Sequence, residues 1–160
     1  MKVLHITNEL TKKNFSIASL VLFISNHLYK SYNFQYSILT SDLERDLFRD
    51  KNIYKIELKT WISIFLRIKN LTKNISNFKT IHIHGIWAPI QIFSILVCNF
   101  KNKNYVIHPH GMLLDEALRS AGFYKFVYKK IFLFIFKYFI SNKTFFVSIT
   151  DQEKNAIKKF

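Results

Sequence analysis

The chain has one cysteine, three glycines and two prolines among its 160 residues. A single thiol, Cys98, forms no internal disulfide, so no crosslink braces the fold and a reducing compartment suits it. The shortage of glycine excludes more. The first strand-to-helix turn holds none, so the glycine fingerprint of a dinucleotide-binding domain is missing, and no P-loop pattern occurs elsewhere. Hydride transfer and ATP hydrolysis are set aside on that ground. Acidic residues are scarce too, 10 against 24 basic ones, which leaves a net charge of +14. No basic run exceeds two residues, so a nucleic-acid tail is not expected. The surplus is either a general overuse of lysine or a surface that meets anionic lipid or small anions. A long uncharged apolar run is also lacking. The most apolar stretch, Phe123 to Ile140, is broken by Lys125, Lys129, Lys130 and Lys137, and it does not read as a membrane span. Only four residues separate Lys2 from Thr7, too few for the apolar core of a signal peptide, and a cytoplasmic location is expected.

What is present is a folded, strand-and-helix pattern. An apolar fraction of 49% fits a globular chain, and this length makes one domain, 1–160. Lys2 to Thr7 reads as a buried strand, a polar loop covers Asn8 to Asn14, and Phe15 to Tyr32 has helical spacing. Phe34 to Thr40 is a second strand, after which Ser41-Asp42-Leu43-Glu44 has the pattern of a capped short helix. Ile53 to Leu58 alternates as a strand, and Trp61 to Ile75 is helical. Thr80 to Trp87 is a strand, and Ala88 to Phe100 is a helix with Pro89 in its first turn. Asn104 to Ile107 is a strand that Pro109 should end, with a helix beginning at Met112. Phe123 to Ile140 is a long helix, Thr144 to Ile149 a last strand, and Thr150-Asp151-Gln152-Glu153 a capping box opening a final helix. Strand–helix alternation throughout predicts an α/β fold, a doubly wound and mostly parallel sheet of about six strands with helices on both faces.

Two strands end in the same chemistry. His82-Ile83-His84-Gly85 and His108-Pro109-His110-Gly111 both place a histidine where a strand gives way to its loop. In open α/β sheets ligands bind beyond the carboxyl ends of the strands, so His84 and His110 should face one site. As neutral imidazoles they can donate to sugar hydroxyls or phosphate oxygens. A metal is the rival reading. Residues i and i+2 of a strand share a face, so His82 and His84 could grip one ion with His108 and His110, as in a histidine-metal hydrolase.

These pieces, in this order, resemble the N-terminal half of bacterial family 4 ("group 1") glycosyltransferases. The matching segments are Lys2-Val3-Leu4-His5-Ile6, Ile81 to Trp87, His108 to Leu113, Ala117-Leu118, the helix around Lys129-Lys130, and Thr150 to Glu153. The resemblance implies a Rossmann-like, acceptor-side domain of a GT-B-type enzyme. It implies a retaining, metal-independent transfer of sugar from a nucleotide-sugar to a cell-surface polysaccharide or lipid-linked glycan, with no cofactor beyond that co-substrate. It makes His110 the catalytic histidine at the donor sugar, with His84, Gly85, Trp87 and Gly111 as substrate-binding residues. The family's first loop holds paired glycines; here it reads Thr11 to Ser16, which puts Lys13 and Asn14 in the substrate-binding position.

Nothing in the chain corresponds to the family's donor-binding half. It therefore reads as an N-terminal fragment from a truncated gene, a split gene with a separately encoded C-terminal half, or a cloned piece, inactive alone. A non-catalytic binding or membrane-associated module is the alternative. The Phe123 to Ile140 helix fits a core position and also an interfacial one at an anionic membrane surface, which would make the protein peripheral.

Overall fold

A computed structural model describes residues 1–56, 61–120, 122–140 and 143–159, with side chains of 61–66 outside the description. Six strands form one sheet: β1 (Lys2–Leu10), β2 (Gln35–Leu43), β3 (Ile53–Lys55), β4 (Thr80–His84), β5 (Tyr105–His108) and β6 (Thr144–Phe146). Their order is β3-β2-β1-β4-β5-β6 and every pairing is parallel. This is the doubly wound Rossmann order, with its topological switch between β1 and β4. The helices are α1 (Phe15–Tyr32), α2 (Trp61–Ser76), α3 (Pro89–Phe100), α4 (Asp115–Arg119), α5 (Phe123–Phe139) and α6 (Asp151–Lys159).

Alternation along the central strands sorts the two faces. Leu4, Ile6, Leu39, Ile81, Ile83 and Ile107 pack with Leu71 and Ile75 of α2 and Ile90 and Ile95 of α3. Each such fully buried side chain contributes about 1.5–3 kcal/mol. On the opposite face Ile38 and Tyr36 meet Ala18 and Val21 of α1. Burial also pushes the Cys98 thiol up to about 12, so it is a packing group.

Several boundaries differ from the sequence reading. The predicted polar loop Asn8–Asn14 is strand as far as Leu10, because Glu9 and Leu10 pair with Asp42 and Leu43. The predicted cap at Ser41 is likewise strand. The Ser41 hydroxyl donates to the Asn8 carbonyl at 2.5 Å instead of opening a helix, since the long β1–β2 ladder outweighs a local signal. The helix expected from Met112 begins at Asp115, after a turn. The strand predicted over Ile53–Leu58 runs Ile53–Lys55, and 57–58 lie outside the described residues.

The long aromatic helix α5 anchors itself through a narrow stripe. Leu133 and Phe136 are buried, while Tyr124 is 89%, Phe123 75% and Tyr138 72% exposed. Val127, Ile131, Phe134 and Ile135 are exposed as well. Among the described residues no helix is long and apolar enough to cross a membrane.

Candidate functional site

The histidines occupy the α1 face of the sheet. His5 is the register partner of His82, and His84 that of His108, so the strands bring four imidazoles side by side. His110, just past β5, adds a fifth ring, 5.3 Å from that of His84 between centroids. Their nitrogens pair off. His5 Nδ1 lies 3.0 Å from His84 Nε2, and His84 Nδ1 lies 3.0 Å from His110 Nε2. One register step back, His82 Nδ1 is 2.9 Å from His108 Nε2. His84 and His110 thus meet at the carboxyl edge of the sheet, as the repeated motif predicts. Among the described residues no set of three or more His, Cys, Asp or Glu side chains has the geometry to hold a metal ion. Of the four histidines in the rival metal reading, His82 instead pairs with His108 and His84 with His110, imidazole to imidazole.

Two glycine turns hold this layer in place. Gly85 (φ +96°) donates its N–H to the His108 carbonyl at 2.8 Å, and a Cβ there would overlap the Gln91 side chain. That amide donates to the His84 carbonyl and accepts from the Ala88 N–H at 2.9 Å, closing the start of α3. At the second turn the Met112 N–H returns to the Pro109 carbonyl at 3.1 Å, with positive φ at both His110 (53°) and Gly111 (76°). Two positive φ values define a mirror-image turn, which a histidine adopts only at a cost of about 1–2 kcal/mol. Glu153 helps hold it. Its carboxylate, on a residue 2% exposed, accepts the Gly111 N–H at 2.6 Å and the Ile149 N–H at 2.8 Å. The predicted capping box is therefore half made. Thr150 Oγ1 accepts the Glu153 N–H at 3.2 Å, while the Glu153 side chain leaves the box for the histidine loop.

A crevice of about 150 Å³ opens at the switch point, between the ends of β1 and β4. Glu9, Asn14, His84, Trp87 and Met112 contribute to its walls. Glu9 is caged by its neighbours: Asn8 Nδ2 donates to it at 3.0 Å and Asn14 Nδ2 at 2.8 Å. Trp87 leans on Phe132, 5.3 Å between ring centroids, under the Lys129 ammonium at 5.5 Å. Of the predicted substrate-binding residues, Asn14, His84 and Trp87 line the crevice. Lys13 is exposed and does not line it. His84 is 1% exposed with both nitrogens engaged, so it has no nitrogen free for a substrate. Gly85 is a buried turn. The Gly111 N–H, which could have met a ligand, is taken by Glu153.

Burial keeps the layer uncharged. It lowers His5 and His84 well below the ordinary histidine value, with neighbouring imidazoles adding to the effect. His82 falls to about 4 and His108 to about 3, again mainly by burial. His110 is lowered as well, with the Glu153 carboxylate opposing. Every ring is therefore neutral near pH 7.

Sequence reasoning gave His5, Glu9, Gln91 and Glu153 no part in the site, and read Glu153 as a helix cap alone. Only His5 left a signal, since it shares the strand parity of Val3 and Thr7, opposite the apolar Leu4 and Ile6.

No family model and no curated protein matches the chain. Its structure is similar to MurG of Acinetobacter baumannii, a GT-B glycosyltransferase, with a TM-score of 0.50 at 16% sequence identity. The match covers 67% of this chain and 34% of MurG, so the chain matches about a third of that structure's length. What the two share is the fold, a Rossmann-like α/β unit with an all-parallel sheet.

Proposed function

We propose that the chain is the acceptor-side half of a retaining sugar transferase that works from a nucleotide-sugar without a metal. The observation that carries this reading is the placement of His110. It sits at the carboxyl edge of the sheet, one hydrogen bond from a wall of the switch-point crevice, and among the described residues its Nδ1 has no partner. In the reading, that nitrogen holds the transferring sugar. Glu9 and Asn14 accept from and donate to hydroxyls of the incoming group, and Trp87 offers an apolar wall. Nucleotide binding falls to a donor-binding half, covalently joined or separate. The experiment is sugar transfer by this chain joined to such a half, against the 160-residue chain alone. Transfer is expected only from the joined protein. Transfer by the chain alone, above a His110→Ala control, would show that the donor site has been misplaced.

The exposed stripe of α5 supports a membrane-side acceptor. Lys125, Lys130 and Lys137 are exposed beside its aromatics, and each lysine near an anionic surface is worth about 1 kcal/mol. Binding to vesicles containing phosphatidylserine should be clear at low salt and fade at high salt, because the charge term is screened. Sedimentation unchanged by salt, or absent throughout, would leave α5 without a membrane role.

A further inference from the structure

His5 Nε2 is buried and has no hydrogen-bond partner among the described residues. That orphan sits at the inner end of a chain of three rings, His5, His84 and His110, whose outer end is the unpartnered Nδ1 of His110. Each contact joins an Nδ1 to an Nε2, and each neutral imidazole has one proton to place. Only two arrangements satisfy both contacts. In one, every ring carries its proton on Nδ1: His5 donates to His84, His84 donates to His110, and His110 donates outward. In the other, every proton sits on Nε2 and every bond reverses, so His110 presents a bare lone pair on Nδ1.

The orphaned end decides between them. The all-Nε2 arrangement buries an unpaired N–H on His5, and orphaned buried donors are rarer and costlier than under-used acceptors. With every proton on Nδ1, His5 leaves only a lone pair unmet. We propose that His5 and His84 are positioning residues that fix the tautomer of His110, so that its unpartnered Nδ1 is an N–H donor. Charging His110 would put a proton on its Nε2, reverse both bonds and drive the orphaned donor onto His5; the same chain therefore holds the ring neutral. His82 and His108 make the same contact with no buried orphan at either end among the described residues, so nothing fixes their direction. The tautomer is a property of this chain as it stands, whereas its use in holding a sugar rests on the reading above.

The test is long-range ¹H–¹⁵N correlation of the histidine side chains in the 160-residue protein at pH 7.5, without substrate. His5, His84 and His110 should each show a pyrrole-type Nδ1 and a pyridine-type Nε2. In His84→Phe, which keeps an aromatic ring but cuts His110 off from the buried end of the chain, the His110 pattern should change to mixed or Nε2–H, while the pair His82–His108 keeps its own. Nε2–H tautomers in the parent, or an unchanged His110 in a folded His84→Phe variant, would overturn the proposal. Failure of sugar transfer with the tautomers as described would count against the proposed function alone.

Discussion

Lowering the pH from 7.5 to 5 should unfold this protein, or bring it to the edge of unfolding. Histidine titrates near 6.5 in an unfolded chain, while His82 waits in the fold until about 4 and His108 until about 3. Below 6.5 the unfolded chain therefore binds protons that the folded one refuses, and stability falls as the pH falls. Each such histidine removes about 1.4 kcal/mol per pH unit, so these two alone take away about 4 kcal/mol between pH 7.5 and 5. His5 and His84 are lowered by the same burial and deepen the loss. Domains of this kind have about 5–15 kcal/mol in all. Above pH 6.5 both states are neutral and the stability is fully present. Urea midpoints by circular dichroism at pH 7.5, 6 and 5 check this. A midpoint that stays level across that range would mean that the rings are neither buried nor neutral as described.

Replacing Glu153 with alanine should cost about 2–4 kcal/mol. The carboxylate satisfies the N–H groups of Gly111 and Ile149, and an orphaned buried donor costs about 1–3 kcal/mol. Ile149 is 64% exposed, so water recovers part of its loss; the Gly111 N–H is half-buried and recovers less. The left-handed His110 also loses a restraint, so the turn should relax and hydrogen exchange at the Gly111 amide should quicken. Glu153→Gln keeps one accepting oxygen but aims an NH2 at the other donor, so about half the loss is expected. Urea melts of both variants, with exchange read at Gly111, provide the measurement. A Glu153→Ala protein as stable as its parent would show that the carboxylate is dispensable to the loop.

The sheet was legible because its signals are local and periodic. Ile81-His82-Ile83-His84 states in four residues which side meets α2 and α3 and which side carries imidazoles. The repeat of His-x-His-Gly likewise placed His84 and His110 together before any coordinates. Two local cap signals were misread because a partner 33 or more residues away won the side chain. Ser41 has the look of a helix start, yet its hydroxyl meets Asn8. Glu153 stands at capping-box spacing, yet its carboxylate serves Gly111, 42 residues earlier. Glu9 had no motif at all. Its place in the crevice comes from the extension of β1 past Thr7, which depends on pairing with β2 and on nothing in its own neighbourhood. Long-range partners of this sort leave no periodic trace in a single sequence.

The central claim is that His110 holds a sugar at a transfer site. Joining this chain to a donor-binding half and comparing turnover in the parent, His110→Ala and His82→Ala tests it most directly. Loss of a preorganised donor costs roughly 2.7–4 kcal/mol, so His110→Ala should fall about 100- to 1000-fold with the fold intact by circular dichroism. His82→Ala, one step back in the layer, should lose far less. Equal turnover in His110→Ala and the parent would contradict the account.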